Sequence, residues 1–410
     1  MKLFIFEYIT GGGFIEENLP ISLVSEGAAM ILSLLKGIKS PKIKKKILLD
    51  NRLKKYPSFF VNTDVEVIEN EIDFDSKFIK NIINSDYYLI IAPEFEGILG
   101  RLTKLTKDIH TINLGSNFSS IRITSDKYKT YLALKRLKKY LPITIKKKIS
   151  YKTDQIARAC DQIKYPVIFK PLDGVSGEGI SLINNKGEIK TGLKKIKESS
   201  QINEFIIQEY IDGYDVSVSL FITENKIYPL SLNSQIIDLR GPNAITEYNG
   251  GYIPFTHRSI DTEDIFNLSR ECINLIPGLN GYIGIDFVLK ERPYIIEINP
   301  RLTTSYIGLN ELLLENPYSQ IILKSDFRPD LKKNISVFFS RIEFELNKYI
   351  ISRKNPKFRY LKDFITPLFN FNNKYSGFII LKSKELRENI EKINRIRKYF
   401  KSFKDNDSMK

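Results

Sequence analysis

Three stretches of this 410-residue chain bring together side chains whose types and spacing could do chemistry. In Phe169-Lys170-Pro171-Leu172-Asp173-Gly174-Val175-Ser176-Gly177-Glu178-Gly179-Ile180 a lysine ends one strand-like run and three glycines lead into another. With no Cβ in the way, backbone N–H groups around Gly174, Ser176, Gly177 and Gly179 can turn toward a polyphosphate, and Lys170 sets a positive charge at its edge. The pattern suits a nucleotide lid, although an unliganded glycine-rich hairpin would satisfy it too.

The second stretch, Gln208-Glu209-Tyr210-Ile211-Asp212-Gly213-Tyr214-Asp215, breaks a strand into a turn. Backbone groups over Glu209, Tyr210 and Ile211 can pair with the edge of an adenine, and Asp215 can accept from a ribose hydroxyl. A strand carrying surface acids explains it equally well. The third stretch holds Asp286 in GIDFVL, then Glu297 and Asn299 in YIIEINP, followed by Arg301. Residues two apart on a strand share a face, so Glu297 and Asn299 project together and Asp286 on a neighbouring strand can converge on them. Two carboxylates and an amide oxygen are hard ligands that suit Mg²⁺ with its waters and substrate phosphates. Acids inside such apolar runs would be costly to bury without a cation.

The elements around these stretches predict an open parallel α/β unit followed by an α+β unit. Residues 2–9 read as a strand ending in Thr10-Gly11-Gly12-Gly13, a turn or substrate loop, and 22–36 as a helix; further strands fall at 87–92 and 109–114. Ser125-Asp126 can cap a helix running through Lys127 to about Lys139, with Pro142 beyond its end. From 166 to 231 come PVIFKPL, GISLI, FIIQEYI, VSVSLFI and KIYPLSL, read as strands of an antiparallel sheet. A helix near 262–276 precedes the pair YIGIDFVLK and YIIEINP. The tail has strand-like ISVFFSRIEF and GFIILK, then an amphipathic helix with Leu386, Ile390, Ile393, Ile396, Phe400 and Phe403 on one face.

Composition excludes several classes. The chain carries 63 basic against 48 acidic residues, net +15. Residues 331–410 hold 20 basic and 8 acidic of these, leaving 43 against 40 for the rest, so the basic character belongs to the tail. That tail has acids interleaved and no aromatic stacking platform, so nucleic acid is not the expected partner. Two distant cysteines and two histidines exclude a disulfide framework, a zinc ribbon and His-based hydrolysis. No run approaches 18 uncharged apolar residues and the apolar run before Glu7 is too short for a signal peptide, so the expectation is a soluble, cytoplasmic protein without a membrane partner.

Taken in order, Lys127, Lys170, the glycine loop, Asp215, Asp286 and Glu297-x-Asn299-Pro300-Arg301 resemble the ATP-grasp superfamily over roughly residues 120–310. The resemblance implies an ATP-grasp fold: a parallel α/β pre-domain at 1–115, an ATP-grasp domain at 116–330 with a lid at about 148–211, and a small basic C-terminal β-α extension at 331–410. It implies that ATP is bound by Lys127, Lys170, the Gly174–Gly179 loop with Ser176, the Glu209, Tyr210 and Ile211 backbone, and Asp215. Asp286, Glu297 and Asn299 would hold Mg²⁺, for which Mn²⁺ could substitute. Lys170 and Arg301 would be the catalytic side chains, Arg301 steadying an acyl phosphate or a substrate carboxylate. Two departures stand out: many members carry Glu where Asp215 stands, and Lys129 could compete with Lys127.

Within the superfamily, FEYITGGGF, IAPEFEGIL and EINPRLTTSYIGL look most like the archaeal tyramine–glutamate ligases of methanofuran biosynthesis. That implies phosphoryl transfer from ATP to the γ-carboxylate of glutamate, then attack by the amine. Candidate substrate residues near strand ends are Glu7, Asn233, Gln235 and Arg240, with Glu247 and the Asn249-Gly250-Gly251 turn beside them. Arg240 could hold glutamate carboxylates and Glu7 an incoming ammonium. The alternatives are an ATP-grasp ligase for another amino-acid, amine or peptide pair, and a non-catalytic nucleotide-binding or nucleic-acid-docking module. A homo-oligomer is compatible with either.

Overall fold

Apolar side chains on both faces drive KLFIFE into the middle of a sheet, where Leu3 to Phe6 are all buried. The computed structural model, which describes residues 1–174, 177, 179–223, 226–345, 360–371 and 373–405, makes this run strand β1 (Lys2–Glu7). With β2 (Lys44–Asp50), β3 (Asp64–Ile68), β4 (Tyr87–Ile91) and β5 (Ile112–Asn113) it forms a parallel sheet in the order β3-β2-β1-β4-β5. The pleat sends Phe4 and Phe6 to one face, where they meet Phe74 and Phe78 of the helix Glu71–Ile83. Glu7 belongs to the other face, against Gly27 of the helix Ile21–Gly37.

The short strands that follow separate into two sheets rather than the single one read from the sequence. β6 (Thr144–Lys148), β7 (Val167–Pro171), β8 (Ser181–Ile183) and β9 (Glu204–Glu209) pair antiparallel in the order β6-β9-β7-β8. The helices Thr153–Ile163 and Ile189–Ser199 cover this lid sheet through Ile156, Ile163, Ile189 and Ile196. The second sheet is antiparallel and eight-stranded. It comprises β10 (Tyr214–Thr223), β11 (Lys226–Asp238), β12 (Glu247–Ile253), β13 (Gly281–Leu289), β14 (Pro293–Asn299), β15 (Ser336–Glu345), β16 (Phe369–Phe371) and β17 (Lys374–Ser383), ordered β14-β13-β10-β11-β12-β15-β17-β16.

The C-terminal strands therefore extend the sheet that carries Asp286 and Glu297, through the pairing of β12 with β15. The helix Leu386–Asp405 closes that end: Ile393, Ile396 and Phe400 are buried against Phe338, Phe344 and Ile379, whereas Ile390 is exposed. The helix expected through Lys139 stops at Ala133, and a separate 3₁₀ segment runs from Lys135 to Tyr140. Cys160 and Cys272 are buried and unpaired. Among the described residues, no helix is long and apolar enough to cross a membrane.

Candidate active site

β1 has β2 on one side and β4 on the other, and the C-terminal mouth of such a strand reversal is where α/β sheets take ligands. A cavity of about 530 Å³ opens there, between the parallel sheet, the lid sheet and β11 to β14. Lys170 and Gln208 reach it from the lid sheet, Glu209 from the end of β9, Tyr210 and Ile211 from the turn after it, and Asp215 from β10. Among the described residues no turn or loop hydrogen bond engages the backbone of Tyr210 or Ile211, while the Glu209 N–H donates to the Ile143 carbonyl at 2.8 Å.

Asp286 and Glu297 are register partners on β13 and β14, and Asn299 lies two residues on. The Asn299 amide donates to Asp286 Oδ2 at 3.0 Å and the Gln235 amide to Asp286 Oδ1 at 3.0 Å. Lys127 Nζ sits 3.0 Å from Glu297 Oε2 and donates to the Gly174 carbonyl at 2.9 Å. Lys170 Nζ donates to Gln208 Oε1 at 2.8 Å. Arg301, just past β14, gives Nε and Nη2 to one oxygen of Glu94 at 3.0 and 2.6 Å, and its Nη1 to the Leu302 carbonyl. Glu94 follows β4, so this buried pair ties the parallel sheet to the one that carries Asp286 and Glu297.

Burial dominates the electrostatics. It pushes Lys170 down to about 8, with Glu297 opposing and Lys127 adding to the effect. Burial also works against charged Lys127, but Glu297, Glu94 and Asp173 outweigh it and hold that lysine above its ordinary value. Asp286 is pushed well up by burial and then by Glu297, while the two lysines overcome burial and hold Glu297 down. Two adjacent carboxylates, one raised by burial and by its neighbour, flanked by amides and free of sulfur and imidazole, fit a hard divalent cation such as Mg²⁺. Among the described residues no group of three or more His, Cys, Asp or Glu forms a self-sufficient metal cage, so bound phosphates and waters would complete the shell. Asp215 is raised to about 6, by burial against the opposing field of Lys170.

Most of the residues singled out in the sequence converge here, and several do not. Gly177 lines the cavity at φ +82°, Gly179 has φ +71°, and Ser176 lies outside the described residues. Lys129 turns away to Asp126 at 3.1 Å, which leaves Lys127 as the inward lysine. Asn233 is fully buried behind the cavity wall, its amide spent on the hydroxyls of Ser217, Ser219 and Ser231. Arg240 is half exposed, ion-paired to Asp238, and outside the cavity lining. Glu7 does line it, but its carboxylate accepts from the Ile9 and Thr10 N–H groups and the Thr10 hydroxyl, fixing the glycine turn. Sequence reasoning missed Glu94 and Glu26. The only available signal for Glu94 was an acid immediately after a buried parallel strand; Glu26 sits in a helix with nothing to set it apart.

This sheet pair, with its lysines, glycine loop and paired carboxylates, defines the class: the chain belongs to the ATP-grasp family. A model of the ATP-grasp domain matches residues 124–305, and one of the pre ATP-grasp 3 domain matches residues 44–121. Over 322 residues the chain is 34% identical to the tyramine–L-glutamate ligase of Methanocaldococcus fervens, covering 77% of this chain and 93% of that one. The same identity holds over 327 residues with the tyramine–L-glutamate ligase of Methanocaldococcus jannaschii, at 77% and 88% coverage. Among solved structures, an ATP-grasp superfamily protein from Archaeoglobus fulgidus shares the fold at a TM-score of 0.61 and 24% identity, covering 93% of this chain and 99% of that one.

Proposed function

We propose that this chain joins the γ-carboxylate of L-glutamate to the amine of tyramine through an acyl phosphate, releasing ADP and phosphate. The observation that carries this reading is the 34% identity, across 77% of the chain and 93% of the relative, to a tyramine–L-glutamate ligase. The Tyr210 and Ile211 backbone takes the adenine edge and Asp215 a ribose hydroxyl. Lys127 and Lys170 meet the phosphates, and the loop of Gly174, Gly177 and Gly179 closes over them. Asp286, Glu297 and Asn299 hold Mg²⁺, and the same oxygen donors accept Mn²⁺. The bound cation supplies charge neutralisation to the phosphates.

Lys170 and Arg301 offset the charge that develops as the terminal phosphoryl group passes to the glutamate carboxylate. Burial makes both charges more effective, because little water screens them. Arg301 then steadies the acyl phosphate while the amine attacks its carbonyl carbon and phosphate departs. Closure of the lid excludes water that would hydrolyse the intermediate. The need for ATP and two unpaired buried cysteines suit a cytoplasmic enzyme.

The test is ADP release across a panel of acids and amines. Glutamate with tyramine should give the highest turnover. A clear preference for another amine overturns the narrow assignment, and absence of ADP with every pair overturns the ligase reading.

A further inference from the structure

Part of the cavity wall comes from the N-terminal parallel-sheet unit, backed by a residue of β15. The helix Ile21–Gly37 supplies Leu23, Glu26 and Met30 to its wall, and Glu26 is 8% exposed. Glu26 Oε1 accepts from Nη1 of Arg341 in β15; its Oε2 accepts no hydrogen bond from the described residues. Arg341 also pairs through Nε with Glu343 at 2.9 Å. One guanidinium thus serves two carboxylates, and the group carries a net charge of about −1.

The other ionised groups nearby do not cancel that charge. Arg301, whose field reaches Glu26, is satisfied by Glu94, and Glu7 is itself an acid. Burial raises Glu26 despite Arg341 and Arg301, as expected of a carboxylate short of positive charge. Leu23 and Met30 beside it are apolar, and the buried Tyr248 hydroxyl lies near Thr304 and Ser305. An acid with a free oxygen, an apolar flank and a neighbouring hydroxyl make a site for an ammonium on an apolar, hydrogen-bonding carbon frame.

We propose that Glu26 binds the ammonium group of the amine substrate, a primary arylalkylamine, and that Arg341 from the C-terminal strand is its positioning residue. This rests on the ligase reading above and assigns its second substrate a place. It also gives residues beyond the family's matched region, which ends at 305, a part in the active site. The other ammonium in the reaction is the α-amino group of glutamate; the apolar flank favours the arylalkylamine, and the experiment separates the two.

Glu26→Gln keeps the size of the side chain and an oxygen for Arg341. In the full-length enzyme it should raise the KM for tyramine at least tenfold while leaving the KM for ATP within twofold. Hydroxylamine, a neutral nucleophile, should still capture the acyl phosphate, so hydroxamate formation from glutamate and ATP stays within twofold. An unchanged tyramine KM overturns the proposal. A parallel fall in hydroxamate formation also overturns it, by placing the glutamate ammonium at Glu26 instead. Arg341→Gln should raise the tyramine KM and Arg341→Lys partly restore it, which a purely structural loss would not reproduce with hydroxamate formation intact. Calorimetric binding of tyramine to enzyme loaded with a non-hydrolysable ATP analogue reads Glu26 without turnover: equal binding by the Gln variant, or none by the unmodified enzyme, overturns the assignment. Absence of hydroxamate formation from glutamate, ATP and hydroxylamine in the unmodified enzyme counts against the ligase reading instead.

Discussion

Removing the charge of Glu94 tests whether Arg301 acts alone. Both side chains are nearly buried, 7% and 15% exposed, and two guanidinium N–H groups converge on one Glu94 oxygen. Breaking a buried pair from one side costs about 3–5 kcal/mol, because the remaining charge is left without a partner. If even half of that appears as misplacement of Arg301 at the transferring phosphoryl group, about 2 kcal/mol, turnover falls by roughly 30-fold. The assay is hydroxamate formation from glutamate, ATP and hydroxylamine for Glu94→Gln, Arg301→Ala and the double variant. Each single variant should lower kcat by at least tenfold with the KM for ATP within threefold. The double variant should be no worse than Arg301→Ala, since Glu94 has nothing left to orient. Losses that simply add, or a Glu94→Gln enzyme with normal kcat, would refute the argument that this pair works as one unit.

Three further outcomes follow from the geometry. Lys170 stands at about 8 in the fold against an ordinary 10.5, a difference worth about 3 kcal/mol. The folded protein then binds fewer protons than the unfolded chain between those values, so the destabilisation is complete below pH 8 and relieved as pH rises to 10.5. The stability advantage of Lys170→Met over the unmodified, nucleotide-free protein should shrink across that window, and a pH-independent difference sinks the idea. Asp215, raised to about 6, loses its charge as pH falls through that value, so the KM for ATP should rise there in the unmodified enzyme and not in Asp215→Asn; parallel pH profiles would remove Asp215 from the nucleotide site. Gly250 has φ +93°, and a Cβ there would lie 2.0 Å from the Phe339 carbonyl oxygen. Gly250→Ala should therefore part β12 from β15 and destabilise the fold by about 3 kcal/mol or more, and an unchanged unfolding midpoint would show that the strand junction yields.

What was legible in the sequence was whatever local pattern encodes. Asp286, Glu297 and Asn299 could be placed together because strand periodicity puts them on one face and their apolar neighbours made buried acids conspicuous. The lysine and glycine loop announced itself through composition. Strands β2 and β3 drew no attention, since KKKILLD and DVEVI mix charge with apolar residues in a way that fits several elements. Short strands from 166 to 231 looked continuous because antiparallel runs carry no mark of which sheet they join. Glu94 and Glu26 depend on partners 207 and 315 residues away, a distance that no local pattern reports. Asn233 and Arg240 failed for the converse reason: polar type near a strand end says nothing about whether neighbouring Ser or Asp side chains have already claimed them.

The addition of β15 to the edge of β12 bears on how the protein comes into being. A chain emerging from the ribosome has Lys127, Lys170, Asp286, Glu297 and Arg301 in place by position 301, yet the edge of β12 stays unpaired until β15, ending at Glu345, follows. Pairings this distant in sequence form slowly, and an open edge is a template for other chains. The nascent protein is therefore open to aggregation at that edge until β15 has been made. Fragments ending near residue 330 should aggregate where the full chain stays dispersed, so trimming the basic tail is a poor route to a minimal enzyme.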